Sequence, residues 1–218
     1  MRILVIDDSR TNRDAAVVQL AGHDLIMAAT YDEGADHFKV RYDDANVKRL
    51  LAERGFIKKE GWDAGYYAAE RVAMRESVIP CGFDAVLVDL LMPASENAQG
   101  SNGAPYVGQE MPVGIFLALL AAKSGVKHVA LFTDSDHHSH PASACFDAFN
   151  PNGEDTPTPL HVEGADVLLC NNRNWIGHFK PDDFCQQVEC WWEGNEPSVA
   201  AKDWLSLLNY LIGESATD

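Results

Sequence analysis

The sequence predicts an α/β protein in which a parallel sheet is covered by helices on both faces. Two observations carry that expectation. Short runs of β-branched and apolar residues alternate along the chain with longer helical patterns, which is the rhythm of strands joined by crossover helices. One of those runs, Ala85-Val86-Leu87-Val88, is apolar at every position rather than at alternate ones, as a strand buried on both faces must be.

Arg2 to Ile6 reads as the first strand. Ser9 stands where a helix N-cap belongs, and Ala15, Val17, Val18 and Leu20 give the next segment an apolar side before Gly22 ends it. Asp24 to Ala29 is a weaker strand. Ala35 to Arg54 and Tyr66 to Ser77 read as helices, separated by the glycines and lysines between Gly55 and Gly65. Asp84 to Val88 is the next strand. Met92 to Pro112 follows, carrying Gly100, Gly103, Gly108, Pro93, Pro105 and Pro112; that composition does not hold regular structure for long and predicts a loop at the strand-end face. Val113 to Ala122 is the longest apolar run, about half of the ~20 residues a membrane span needs, so it reads as a buried helix. His128 to Phe132 and Ala165 to Cys170 complete the strands, with a turn-rich loop at Asn150 to Pro159 between them. Ser198 to Ile212 reads as a terminal amphipathic helix with Trp204, Leu205, Leu208 and Leu211 on one side. The aromatic residues Trp191, Trp192, Trp204 and Tyr210 are expected to pack these last elements rather than to form an interface.

Composition narrows the partners. The chain of 218 residues has 33 acidic against 17 basic side chains, a formal charge of −16. Such a polyanion is repelled by phosphate backbones, and no stripe of lysine and arginine reverses the balance, so neither nucleic acid nor an acidic membrane is an expected partner. Hydrophobic residues at 46% suffice for a real core without covalent staples. Only four consecutive apolar residues precede Asp7 and Asp8 at the amino terminus, too few for a secretory signal. Five cysteines, an odd number with no Cys-x-x-Cys pair, suit a reducing compartment. A cytoplasmic location is expected.

The chemistry lies in the carboxylates that end the strands. Asp7 and Asp8 follow the first strand and Asp89 follows Val88. In a parallel sheet all three converge on the carboxyl edge, where ligands of such folds bind. Three acids packed together repel one another unless a cation joins them, and hard oxygen ligands favour Mg2+. Thr133 ends the next strand and places a hydroxyl at the same edge, within reach of an oxygen added to Asp89. Carboxylate phosphorylation is the chemistry this suggests.

These residues resemble the receiver domains of two-component response regulators. Ile3-Leu4-Val5-Ile6-Asp7-Asp8-Ser9 is similar to the first strand and acidic pair of that family. Asp84-Ala85-Val86-Leu87-Val88-Asp89-Leu90-Leu91-Met92-Pro93 is similar to its phosphoacceptor strand with the trailing Met-Pro. Val129-Ala130-Leu131-Phe132-Thr133 resembles the fourth strand, and Gly164-Ala165-Asp166 the opening of the fifth. The resemblance implies a flavodoxin-like doubly wound sheet of five parallel strands in the order 2-1-3-4-5. It makes Asp89 the phosphoacceptor and Asp8 a direct Mg2+ ligand. Asp7 becomes a second acid acting on the metal through water, Leu91 a ligand through its backbone carbonyl, and Thr133 the hydrogen-bond donor to the phosphoryl group.

Two positions depart from the family pattern. Asn171 falls where the family has its active-site lysine, and Leu168 where it has its switch aromatic. Lys180, followed by Pro181, is the first candidate for a displaced lysine and Arg173 the second. The chain is also nearly twice the size of a bare receiver. The excess falls near residues 40–80, 94–111, 137–162 and 171–181, decorating a single domain with no effector domain expected after the terminal helix.

The sequence therefore predicts a stand-alone signalling receiver, not an enzyme. Asp89 is expected to take a phosphoryl group from a sensor histidine kinase or phosphotransfer protein and so to control a downstream protein target; homodimerisation is compatible with this role. Two alternatives stand beside it. A pseudo-receiver would bind a partner or ligand without phosphorylation, as Asn171 and Leu168 favour. A metal-dependent hydrolase would use the cluster Asp134, Asp136, His137, His138 and His140, whose spacing matches no established zinc motif.

Overall fold

A computed structural model describes residues 1–58, 61–97, 100–135, 138, 141, 143–149, 157–171, 175–180, 191–193 and 196–213. In chain order the first elements are β1 (Arg2–Ile6), α1 (Arg10–Gln19), β2 (Asp24–Ala28) and α2 (Tyr31–Asp36). Then come β3 (Arg41–Tyr42), α3 (Asp44–Glu53), α4 (Ala64–Glu76) and β4 (Val78–Ile79). The middle of the chain holds β5 (Ala85–Asp89), β6 (Met92–Pro93), β7 (Glu110–Met111), α5 (Gly114–Lys123) and β8 (His128–Phe132). The last are β9 (Leu160–Val162), β10 (Ala165–Cys170), β11 (Ile176–Phe179), β12 (Trp191–Glu193), β13 (Glu196–Lys202) and α6 (Trp204–Ile212). No helix among the described residues is long and apolar enough to cross a membrane.

The chain divides into two compact units, Met1–Phe38 with Gly82–Asp218, and Lys39–Cys81. In the larger unit a six-stranded sheet runs in the order β2-β1-β5-β8-β10-β9. Its first five strands are mutually parallel, and β9 pairs antiparallel with β10 at the edge. The protein is thus α/β, as its apolar runs predict, with an edge strand beyond the five expected.

Both faces of the sheet are covered. Ile3 and Val5 of β1, Leu87 of β5 and Phe132 of β8 pack with Ala15, Ala16 and Leu20 of the α1 segment and with Trp204, Leu207, Leu208 and Leu211 of α6. On the opposite face α2 approaches so closely that a side chain at Gly34 would collide with Ile6. The central strand β5 is buried at all five positions, which is why its sequence does not alternate.

Ser9 caps α1 as expected, accepting a hydrogen bond from the backbone N–H of Asn12. Two expected helices are corrected. Ala35 to Arg54 is not one helix, because Thr30 and Asp43 each cap a separate start; α2 ends at Asp36 and α3 begins at Asp44. Ser198 to Ile212 is strand as far as Lys202 and helix only from Trp204. Asp203 caps α6 by accepting from the N–H of Ser206, and the residues before it form the middle strand of a three-stranded antiparallel sheet, β11-β13-β12. The expected loop from Met92 to Pro112 contains a small two-stranded ladder, Met92 opposite Met111 and Pro93 opposite Glu110. Of the loop at Asn150 to Pro159, residues 150–156 lie outside the described residues.

The smaller unit packs α3 against α4 through Val47, Leu51, Tyr66 and Ala73. Its ends are joined by β3 and β4, with Arg41 opposite Ile79 and Tyr42 opposite Val78. It coincides with the excess near residues 40–80.

Candidate functional site

The parallel register brings the strand ends together. Ile6 is level with Val88 and Asp89 with Phe132, so Asp7, Asp89 and Thr133 emerge at one edge. Asp7, Asp89 and Thr133 are buried, while Asp8 is half-buried. Oxygen atoms of Asp7, Asp8 and Asp89 all lie within 4.8 Å of one another. A hard divalent cation, with oxygen ligands at 2.0–2.6 Å, separates opposite ligands by about 4–5 Å. The three-acid donor set therefore fits such an ion.

The cation that the structure itself supplies is Lys202. Its ammonium donates to Asp7 Oδ2 at 2.7 Å and to Asp89 Oδ1 at 2.8 Å, and its side chain is wholly buried. Phe132 and Trp204 flank the ammonium, each ring centroid 5.4 Å from Nζ, an arrangement that favours a positive charge. Lys202 ends β13, directly before the cap of α6, outside the central sheet. Lys180 follows β11 and is exposed; the lysine beside the carboxylates is Lys202 and not Lys180. Asn171 follows β10 and is half-buried, and Leu168 is fully buried in the core. Arg173 lies outside the described residues.

Burial raises the pKa of both carboxyls. For Asp89, desolvation outweighs the attraction of Lys202, and the charge of Asp7 adds to it, so the carboxyl is pushed up to about 8. Asp7 is raised by the same desolvation, against the pull of Lys202. Burial alone would lower Lys202, but the charges of Asp89, Asp7 and Asp134 outweigh it and hold the ammonium above its ordinary value. One lysine among several acids leaves the site short of positive charge, which a proton on Asp89 or a bound cation would make good.

Thr133 Oγ1 accepts from the N–H of Ser135 at 3.2 Å, one residue beyond the register partner of Asp89. Leu91 is 8% exposed, two residues past Asp89. The start of α5 closes over this strand end: Gly114 donates its N–H to the carbonyl of Leu90, and a Cβ at Gly114 would overlap the carbonyl oxygen of Asp89. Asp134 is exposed and accepts from Asn12 Nδ2 at 2.8 Å. Asp136, His137 and His140 lie outside the described residues, and His138 is exposed.

Sequence reasoning missed Lys202 and its neighbour Asn12, and read Trp204 only as a packing residue. The one signal was Asp203, which offers a helix cap directly after Lys202. In comparisons with known proteins, no family model, no curated protein and no solved structure matches this chain.

Proposed function

We propose that the chain is a receiver-like signalling protein of flavodoxin-like fold in which Asp89 accepts a phosphoryl group. The buried Asp7–Lys202–Asp89 cluster is the observation that carries this reading. It joins a strand-end acid, a second acid and a lysine at one sheet edge, with the Thr133 hydroxyl on the adjacent strand end. The five parallel strands β2-β1-β5-β8-β10, with β9 added at the edge, are compatible with such a fold and support the reading.

In the step proposed, a carboxylate oxygen of Asp89 attacks the phosphorus of a phosphohistidine or small phosphodonor. The new bond is O–P, the donor's bond to phosphorus breaks, and the leaving group departs with the bonding pair and takes up a proton. Asp7, Asp8 and Asp89, with the Leu91 carbonyl, would hold Mg2+, which supplies charge neutralisation for the transferring group. Lys202 contributes a fixed positive charge that needs no reorganisation, and Thr133 a hydrogen bond to a phosphoryl oxygen. The acyl phosphate would then bias a two-state surface read by a downstream protein. A phosphorylation-independent role drew its support from Asn171 and Leu168; Lys202 weighs against the first of these, while Leu168 still stands in place of the switch aromatic.

Beryllofluoride with Mg2+ tests the site as a phosphoryl mimic. Wild type should show a saturable change in tryptophan fluorescence, since the ring of Trp204 lies 5.4 Å from the Lys202 ammonium, and Asp89→Asn should show none. An identical change in both proteins would sink the reading.

A further inference from the structure

We propose that Asn12 is the positioning residue that holds Lys202 in the site. The inference rests on the phosphoacceptor reading for its consequence in phosphoryl transfer, and on geometry alone for its effect on the lysine.

A lysine at the end of a central strand is placed by the hydrogen-bond ladder of the strands beside it. Lys202 stands outside that sheet, opposite Ile176 at the end of the small antiparallel ladder, and its own N–H and carbonyl find their partners elsewhere. Its main chain is instead gripped by side chains of α1. Asn12 Oδ1 accepts the backbone N–H of Lys202 at 3.1 Å, and Gln19 Nε2 donates to the Lys202 carbonyl at 3.0 Å. The next turn of chain is fixed to the same helix, since Trp204 Nε1 donates to the carbonyl of Asn12 at 2.8 Å.

The other end of the Asn12 amide faces the acids. Nδ2 donates to Asp134 at 2.8 Å and to Asp7 Oδ1 at 3.5 Å. Asn12 is 2% exposed, so water does not replace these partners readily. One carboxamide thus accepts from the strand that carries the ammonium and donates to the acids around it. Asparagine and glutamine alone carry a carbonyl acceptor and two N–H donors on one uncharged group, and α1 brings Asn12 close enough for the shorter of the two. A buried donor left unpaired is costly; loss of Oδ1 therefore loosens the end of β13 and lets the ammonium part from the carboxylates more often.

The test compares Asn12→Leu, which removes both functions, with Asn12→Asp, made together with Asp134→Asn so that position 12 keeps an acceptor for the Lys202 N–H and does not face the carboxylate of Asp134. Proton exchange of the lysine ammonium groups is read by NMR on the full chain without phosphodonor. Wild type should show one strongly protected ammonium, absent in Lys202→Met. Asn12→Leu should speed its exchange by about tenfold, the equivalent of one lost buried hydrogen bond, and Asn12→Asp should stay within about threefold of wild type. Equal exchange in Asn12→Leu and wild type would overturn the proposal. So would equal acceleration in both variants, the signature of a merely structural role. If Asn12→Leu does not fold, Asn12→Asp still decides: loss of protection in a folded Asn12→Asp contradicts an acceptor role. A second arm measures labelling by a small phosphodonor with Mg2+. Failure of wild type itself to label refutes the phosphoacceptor reading, and the exchange data still judge Asn12. Labelling of wild type with a slower rate in Asn12→Leu supports both.

Discussion

Lys202 and Asp89 lie 113 residues apart in sequence, yet the ammonium of one donates to the carboxylate of the other at 2.8 Å in the interior of the protein. Asp7 completes the contact at 2.7 Å. Removing one partner of a buried ion pair leaves the other charge uncompensated, at a cost of about 3–5 kcal/mol. Lys202→Met should therefore destabilise the protein by about that amount in chemical denaturation. Lys180→Ala, at an exposed position, should cost less than about 1 kcal/mol and leave the rate and lifetime of labelling unchanged. Equal effects of the two substitutions would contradict the assignment of the site lysine.

The protonation of Asp89 sets a pH dependence. Burial pushes its carboxyl up to about 8, so below that pH a metal ion must displace a proton to bind. Mg2+ affinity should rise by up to about tenfold per pH unit from about pH 6 to about pH 8 and then level off. Without metal the sign reverses for stability. The folded site keeps a proton that the unfolded chain, near 3.8, has released, so stability present at low pH is lost as pH rises toward about 8. Titration calorimetry across this range checks the first trend and thermal melts the second; a flat affinity profile would contradict it.

Gly114 should not tolerate a side chain. A Cβ there would overlap the Asp89 carbonyl, a backbone atom that cannot swing aside. Gly114→Ala should cost about 1–3 kcal/mol, as overpacking typically does, and should also impair metal binding by shifting the strand end that carries Asp89. Parallel denaturation and metal titration would show both losses; a stability loss with unaltered metal binding would separate Gly114 from the site.

The cap of α6 gives a smaller effect. Asp203 accepts from the N–H and the hydroxyl of Ser206, and Asp203→Ala should lower stability by about 1 kcal/mol, as loss of an N-cap does. Denaturant unfolding measures it, and an unchanged midpoint would contradict the capping role.

The acidic half of the site was legible in the sequence because local order places it. Asp7, Asp89 and Thr133 each stand directly after an apolar strand, and parallel pairing brings consecutive strand ends to one edge whatever lies between them. Lys202 was hidden for the opposite reason. It belongs to a strand of the small antiparallel sheet, and the apolar residues Val199 and Ala201 merge in sequence with those of α6 into what reads as one amphipathic helix. Only the cap at Asp203 divides them. The break between α2 and α3 was concealed in the same way, by helical residues on both sides of a short strand. Asn12 carried no signal at all, since its role depends on partners 122 and 190 residues away.

Intact-mass spectrometry after incubation with Mg2+ and a small phosphodonor tests the central claim most directly. A gain of one phosphoryl group in wild type, mapped to Asp89 and absent from Asp89→Asn, is the expected result; no gain in wild type, or an equal gain in Asp89→Asn, would contradict the account.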